Sequence, residues 1–141
     1  MSHTELWTVA EWLYSTLNVS GITDLATGGV HRFIAPPVDA PYVVFRSATN
    51  SDLMPMSSGA IKRAYNRGLW DVIAVGTELQ TETVNTIARA VDDLIHRKQG
   101  TPTDGVVITC TRESEIFFHE VDEGVLYVYN GGSYRIAASA S

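Results

Sequence analysis

Histidine and carboxylate side chains, which can bind metal ions or transfer protons, are concentrated in the stretch EIFFHEVDE. In an extended strand, Glu115 and His119 lie on one face, whereas Glu120 and Asp122 lie on the other. A metal site needs several ligands that converge on one point, and this alternation separates them. The pattern therefore favours a solvated strand end and turn over a metal centre. A small metal-dependent hydrolase that uses His119 remains as an alternative from the enzyme class.

Cys110 is the only cysteine, so the chain can form neither an intrachain disulfide nor a zinc site made of cysteines. A catalytic cysteine requires an activating base and some exposure to solvent. In the predicted strand VVITCTR, Cys110 instead shares an apolar face with Val106 and Ile108. We expect a buried, structural cysteine.

The sequence contains none of the common motifs of nucleotide-binding and hydrolytic sites. Neither G-x-x-x-x-G-K-[ST] nor G-x-G-x-x-G is present, and G-x-S-x-G and H-E-x-x-H are missing as well. We therefore expect no catalytic residues, no metal and no cofactor, in a protein that is not an enzyme.

The composition is that of a globular protein, with 141 residues of which 45% are hydrophobic and 18% charged. We expect one domain over residues 1–141. The net charge of −6 argues against a broad nucleic-acid surface, which needs clustered lysines and arginines. No stretch approaches the roughly 20 apolar residues of a membrane span, and the N-terminus lacks the pattern of a secretion signal. We expect a soluble protein with no membrane partner.

Two segments have the apolar spacing of amphipathic helices. The first covers residues 4–18, and its stripe consists of Leu6, Val9, Ala10, Leu13 and Leu17. The second begins at Thr77, which has capping-box spacing with Gln80, or at Thr81. Its last turn holds cations that suit the helix dipole, namely His96, Arg97 and Lys98. Its apolar stripe consists of Val84, Ile87, Ala88, Val91, Leu94 and Ile95.

Residues 42–48 and 67–76 are rich in β-branched and aromatic side chains and are predicted as strands. The second is apolar on both faces around Asp71, which is typical of a central strand. Residues 21–40 carry turn signals and prolines, and we expect them to be irregular.

After the second helix, VVITCTR and EIFFHEV are predicted strands, followed by a turn at residues 122–124. Residues 125–138 form either a strand pair with a hairpin turn at Asn130 and Gly131, or one long bulged strand. This order predicts an α+β fold: an antiparallel, or mixed, sheet of four to five strands with two α-helices packed on one face.

The connection at residues 49–66 is long for a loop that only joins two strands. Its apolar residues fit neither helical nor strand periodicity. Exposed apolar clusters tend to mark interaction sites, and methionine adapts to varied partner surfaces. We therefore predict a subunit or partner interface that contains Asp52, Leu53, Met54, Pro55, Met56 and Ile61. The alternative is a surface insertion in which Met54 or Met56 folds back onto its own chain.

Lys62, Arg63 and Arg67 form a basic cluster beside this loop. We assign them to the same interface, because the negative net charge of the chain favours ion pairs with a neighbouring subunit over contact with DNA. Solvated charges that flank a strand are the simpler alternative.

The segment GGVHRFIAPPVDAPYVVF, in which APP-DAP directly precedes a YVVF strand, resembles the bacteriophage tail completion proteins, or tail terminators, of long-tailed phages. The resemblance continues in order and spacing through a variable loop, the WDVIAVG strand, the ARAVDDLIH helix and a YRI strand. It covers nearly the whole chain. The methionine-bearing loop at residues 51–58 and the acidic HEVDEG turn depart from the family pattern.

This resemblance implies a homohexameric ring at the tail–neck junction of a virion, assembled in the host cytoplasm. Such a ring caps the tail tube protein, stops polymerisation of the tube and joins it to the head–neck connector protein. DNA is a partner only in passing through the lumen. The family has no catalytic residues, so none is carried over. Another head–tail connector component is the closest alternative.

Overall fold

The computed structural model describes residues 5–35, 37–53, 65–102 and 105–140, with the backbone alone at residues 50–53, 65 and 140. Within these residues the helices are α1 (Glu5–Leu17), α2 (Ser20–Thr23) and α3 (Thr81–Ile95). The strands are β1 (Val30–Arg32), β2 (Tyr42–Leu53), β3 (Tyr65–Thr77), β4 (Gly105–Asp122) and β5 (Val125–Ala140). The segment predicted to be irregular thus contains β1 and all of α2 except its first residue. None of the described helices is long and apolar enough to span a membrane.

The strands form one sheet in the order β1-β2-β3-β5-β4. The β1–β2 pair is parallel, and the other neighbouring pairs are antiparallel. Helices α1 and α3 pack against the same sheet face in one hydrophobic core, around Trp70, Phe45, Tyr134 and Ile136. The predicted α+β fold, with a mixed sheet and two substantial helices on one face, is confirmed.

Helix α3 buries the stripe predicted for it, with Val84, Ile87, Val91 and Ile95 in the core. In α1 the buried face is instead centred on Val9, Trp12 and Leu13, and Leu6 in the first turn is 39% exposed. The prediction for Leu6 was therefore wrong. Trp12 lies one helical turn after Thr8 on the same face of α1, and both side chains are buried. The buried face of the helix therefore includes Trp12 and leaves Leu6 at its margin.

Both predicted starts of the second helix occur. Thr77 and Gln80 form a reciprocal capping box around a short 3₁₀ turn, Glu78–Gln80, and α3 follows directly at Thr81. The helix ends at Ile95, however, so the predicted last turn at His96, Arg97 and Lys98 lies outside it. His96 has an extended backbone, and its Nδ1 accepts a hydrogen bond from the Arg112 N–H at 3.0 Å, which turns the chain toward β4.

The connection between β2 and β3 is shorter than predicted. The two strands remain paired as far as Leu53 opposite Tyr65, so the loop predicted at residues 49–66 is strand at both ends. A bulge between Ser47 and Thr49 interrupts the alternation of side chains, which explains why the sequence pattern ended at residue 48.

The turn predicted at residues 122–124 is confirmed: Glu123 and Gly124 both have positive φ, at 51° and 79°, as a two-residue type I′ hairpin requires. Of the two alternatives for residues 125–138, one long strand is correct and the strand pair is wrong, because β5 is continuous. Its pairing runs without a shift through Asn130 and Gly131 on both sides, so neither a turn nor a bulge occurs there. A Cβ atom at Gly131 would lie 2.0 Å from the Val72 carbonyl oxygen, and this close approach of two backbones accounts for the glycine.

The bulges of this hairpin lie in β4 instead, between Val107 and Thr109 and between Arg112 and Ser114. The first one changes the face on which the residues before it lie. Val106 and Ile108 are 43% and 38% exposed, whereas Val107 and Cys110 are buried. The prediction that Cys110 shares a face with Val106 and Ile108 is therefore wrong, although its burial is confirmed.

Candidate assembly interface

The sheet face opposite α1 and α3 is not covered by any helix in the part of the chain that the structure describes. On β3 this face carries Ile73 and Val75, which are nevertheless 4% and 1% exposed. Tyr42, Val44 and Tyr129 of the neighbouring strands lie directly beside them on this face. The central strand is thus apolar on both faces, as its sequence indicates.

An open groove of about 440 Å³, called here the apolar groove, runs over these two residues. Ile34 lines it and is 80% exposed, a value that is high for a large apolar side chain. Phe33 also contributes to the lining and is 48% exposed, although its ring centroid lies 6.3 Å from that of the core residue Trp70. On the opposite wall the Phe118 ring stacks on Tyr129, with 4.4 Å between ring centroids and planes inclined by 8°. The groove is lined by Phe33, Ile34, Ala35, Tyr42, Val44, Arg46, Ile73, Val75, Phe118, Glu120 and Tyr129.

A second depression of about 550 Å³, called here the tyrosine cavity, continues from the groove. The two share Tyr42 and Tyr129. The cavity lies at the end of the sheet where the β4–β5 turn is located, because Thr77 at the end of β3 pairs with Tyr127. Its lining is Pro37, Val38, Asp39, Ala40, Tyr42, Thr77, Asp122, Val125, Tyr127 and Tyr129.

Carboxylates give the tyrosine cavity a negative potential. The Tyr129 hydroxyl donates a hydrogen bond to Glu120 Oε1 at 2.8 Å. Burial, this hydrogen bond and the charges of Glu120 and Asp122 all raise the pKa of Tyr129. Burial also raises the pKa of Tyr42, with further contributions from Tyr127 and Glu120. The hydroxyl groups therefore stay protonated, and the lining holds Asp39 and Asp122 but no lysine, arginine or histidine among the described residues.

The remainder of this sheet face is polar and internally paired. Asp71 Oδ1 accepts a hydrogen bond from Ser133 Oγ at 2.6 Å, and its other oxygen lies 3.8 Å from Arg46 Nε. The Arg135 guanidinium forms a two-pronged pair with Glu113. The hydrogen bond from Arg135 lowers the pKa of Glu113, and the charge of Arg67 adds to this shift.

Only some of the predicted interface residues lie in the part of the chain that the structure describes. Asp52 and Leu53 lie in β2, opposite Asn66 and Tyr65, and exposed Arg67 lies opposite Ser51. These residues meet at the end of the sheet opposite the tyrosine cavity. The remaining predicted residues lie outside the described residues: Met54, Pro55, Met56, Ile61, Lys62 and Arg63.

Sequence reasoning missed the apolar groove and the tyrosine cavity. The available signal was the alternation of Tyr127 and Tyr129 in β5, which places both on one face. Tyr42 and Phe33 join them from distant parts of the chain, and only the order of strands in the sheet brings these residues together.

The groups considered for chemistry do not converge. His119 is exposed and pairs with Val128 on the helix side of the sheet, whereas Glu120 points to the opposite face. Among the described residues, no group of three histidine, cysteine, aspartate or glutamate side chains is placed to hold a metal ion. Cys110 is 1% exposed, and burial, with a smaller effect of Asp92, raises the pKa of its thiol to about 12. A protonated, buried thiol is not an activated nucleophile.

No protein-family model and no curated protein sequence matches this chain. Its fold is similar to that of a chain in a solved structure described as the virion of a native gene transfer agent (GTA) particle. The TM-score is 0.69 at 14% sequence identity, and the match covers 90% of this chain and 92% of that chain. At this identity the similarity shows that the two chains have the same fold.

Proposed function

We propose that this protein is a structural component of a phage-like virion, and specifically its tail terminator. In this role six copies form a ring that caps the tail tube, stops its polymerisation and joins it to the head–neck connector. The observation that carries the proposal is the near-complete match in fold to a chain of a GTA virion particle. The run APP-DAPYVVF at residues 35–45 supports it independently, because APP-DAP directly precedes the YVVF start of β2, as in the family that the chain resembles.

The surface of the molecule is suited to assembly rather than to catalysis. The apolar groove and the tyrosine cavity form one continuous concave region at one end of the sheet. The predicted docking loop joins β2 and β3 at the other end. If the surface at one end of a copy binds the segment at the other end of the next copy, the contact is heterologous. Repetition of such a contact gives a closed ring when the rotation between successive copies permits closure. We also infer that the protein is not an enzyme, since Cys110 is buried and His119 has no converging partner among the described residues.

The mechanism follows from geometry alone. A ring on the last layer of the tube occupies the surface that the next layer of tube protein would use, so that growth stops. Its opposite surface then receives the neck. DNA passes through the lumen without being read, in agreement with a net charge of −6 on each chain.

The test is deletion of the gene in cells that produce the particle, followed by electron microscopy. We expect tails of uncontrolled length that lack heads, together with normal heads, and recovery when the gene is supplied in trans. Tails of normal length that fail to join heads would point instead to a neck component. Normal particles in the deletion strain would contradict a virion function.

The ring is tested separately by light scattering after size-exclusion chromatography, with and without tail tube protein. We expect a hexamer in at least one of the two conditions. A different closed oligomer in both conditions would contradict the tail-terminator proposal.

A further inference from the structure

We propose that the tyrosine cavity of one copy binds the loop segment at residues 54–64 of a neighbouring copy. This inference rests on the proposed ring and identifies the contact that closes it. Lys62 and Arg63 of the loop meet the carboxylates of the cavity, and its apolar residues lie in the adjoining apolar groove.

The positions of the two partners exclude a contact within one chain. β3 begins at Tyr65, where the loop ends, and finishes at Thr77, which lines the cavity. A strand of its 13 residues spans about 40 Å. Residues 54–64, folded back on themselves, could extend at most about 17 Å beyond the strand ends. The loop therefore cannot reach the cavity of its own chain, and the occupant must be another copy.

The charges of the two partners are complementary. The cavity is lined by Asp39 and Asp122, and Glu120 is hydrogen-bonded to Tyr129 in its wall. Residues 54–64 contain Lys62 and Arg63 and no acidic residue. Cations are also attracted to the faces of tyrosine rings, by about 0.5–1 kcal/mol at exposed sites. A cavity with three tyrosines and two carboxylates is thus suited to basic side chains, whereas it would repel an acidic segment.

The apolar residues of the loop also find a matching surface. Met54, Met56 and Ile61 have no place in a helical or strand pattern, and the apolar groove next to the cavity exposes Ile34 and Phe118. Methionine fills irregular apolar surfaces well, and sulfur makes favourable contacts with aromatic rings. Burial of these side chains would add to the attraction between charges.

The experiment is zero-length carbodiimide cross-linking of full-length protein, mixed in equal amounts with an isotope-labelled copy. Carbodiimide joins an amine to a carboxylate only when the two are in contact. We expect Lys62 to be linked to Asp39, Glu120 or Asp122, in peptides that combine one labelled and one unlabelled partner. Exposed Lys98, which follows α3, is the matched control and should not be linked to these carboxylates.

A charge exchange tests the same contact by light scattering. The Lys62→Glu/Arg63→Glu variant and the Asp39→Lys/Asp122→Lys variant should each associate on the order of tenfold more weakly or worse at low salt. The variant with all four changes should recover association, which also shows that the chain still folds.

The outcomes separate this inference from the proposed function. A hexamer with the expected links supports both. The expected links in a dimer support the loop contact but contradict the ring. A hexamer without these links, and unaffected by either charge reversal, supports the ring and overturns the inference. Absence of links in every assembled state, including the ring on tail tube protein, also overturns it.

Discussion

The Tyr134 hydroxyl donates a hydrogen bond to Asp92 Oδ1 at 2.8 Å, and so links β5 to α3 across the core. The tyrosine ring is 2% exposed, and burial and this bond both raise the pKa of its hydroxyl. The hydroxyl therefore remains a donor throughout the physiological range. This bond holds the main helix in position on the strand that contributes Tyr127 and Tyr129 to the cavity.

The Tyr134→Phe variant should lose about 1–2 kcal/mol of unfolding free energy, because one partly buried carboxylate loses its donor. Urea denaturation followed by circular dichroism measures this loss. Tyr127→Phe is the matched control, since the Tyr127 hydroxyl makes no hydrogen bond to any described residue, and it should change stability by less than about 0.5 kcal/mol. Equal losses in the two variants would contradict the assigned role of the bond.

Alkaline pH should destabilise the fold through Cys110. The pKa of this thiol is 9.0 in its ordinary state and about 12 in the fold. Between these values the folded chain keeps a proton that the unfolded chain has released. The stabilisation is complete below pH 9 and is lost as the pH rises, at up to about 1.4 kcal/mol per pH unit.

Comparison with Cys110→Ala isolates this effect from other titrating groups. The stability advantage of the native sequence over the variant should shrink by about 2 kcal/mol between about pH 8 and 10.5, as measured by urea denaturation at each pH. A constant difference would show that the thiol does not titrate differently in the two states.

Gly131→Ala should destabilise the protein severely, by about 3 kcal/mol or more, because its Cβ would lie 2.0 Å from the Val72 carbonyl oxygen at the centre of the sheet. Gly21→Ala is the matched control, since no atom lies within 4 Å of its Cβ position. In helix α2 this second change should be neutral, or stabilising by up to about 1 kcal/mol. Thermal melts of the two variants give the comparison, and a stable Gly131→Ala variant would refute the register of β3 and β5.

Hydrogen exchange should distinguish the strands by their place in the sheet. β3 lies between β2 and β5, so its amides are bonded on both sides of the strand and should exchange last. β4 lies at the edge, where His96 and Gly100 accept hydrogen bonds from the N–H groups of Arg112 and Val107. Beyond Arg112, about half of its amides point away from β5 and should exchange within minutes in the unassembled chain. Mass spectrometry of peptides from the two strands tests this. Slow exchange throughout residues 114–122 would show that another chain covers this edge.

Much of the fold could be predicted, because in its most regular elements the apolar residues recur with the spacing of a single helix or strand. The α3 stripe from Val84 to Ile95 is buried as expected, and Thr77 with Gln80 marks the entry to the helix. The β4–β5 turn follows from the glycine of its acidic motif. In each case the signal is local, and neighbouring residues are sufficient to specify it.

The errors arise where residues distant in sequence decide the local structure. The bulge after Val107 turns Cys110 away from Val106, and no composition rule marks that position. Gly131 has the sequence of a turn but is a glycine because β3 approaches it closely. The tyrosine cavity is assembled from four strands and the loop at residues 37–40, so no single stretch of sequence indicates it. The interface predicted at residues 52–56, 61–63 and 67 stays a prediction.

The two bulges of β4 have a consequence for the solubility of the protein. An edge strand of 18 residues with exposed Phe117 and Val121 would ordinarily be a template for the stacking of chains into fibrils. Such stacking needs long, flat strands in uninterrupted register. Because the irregularities at residues 107–109 and 112–114 bend and twist the edge, two copies cannot align it over its full length. The bulges thus limit regular pairing along this edge to the nine residues from Ser114 to Asp122.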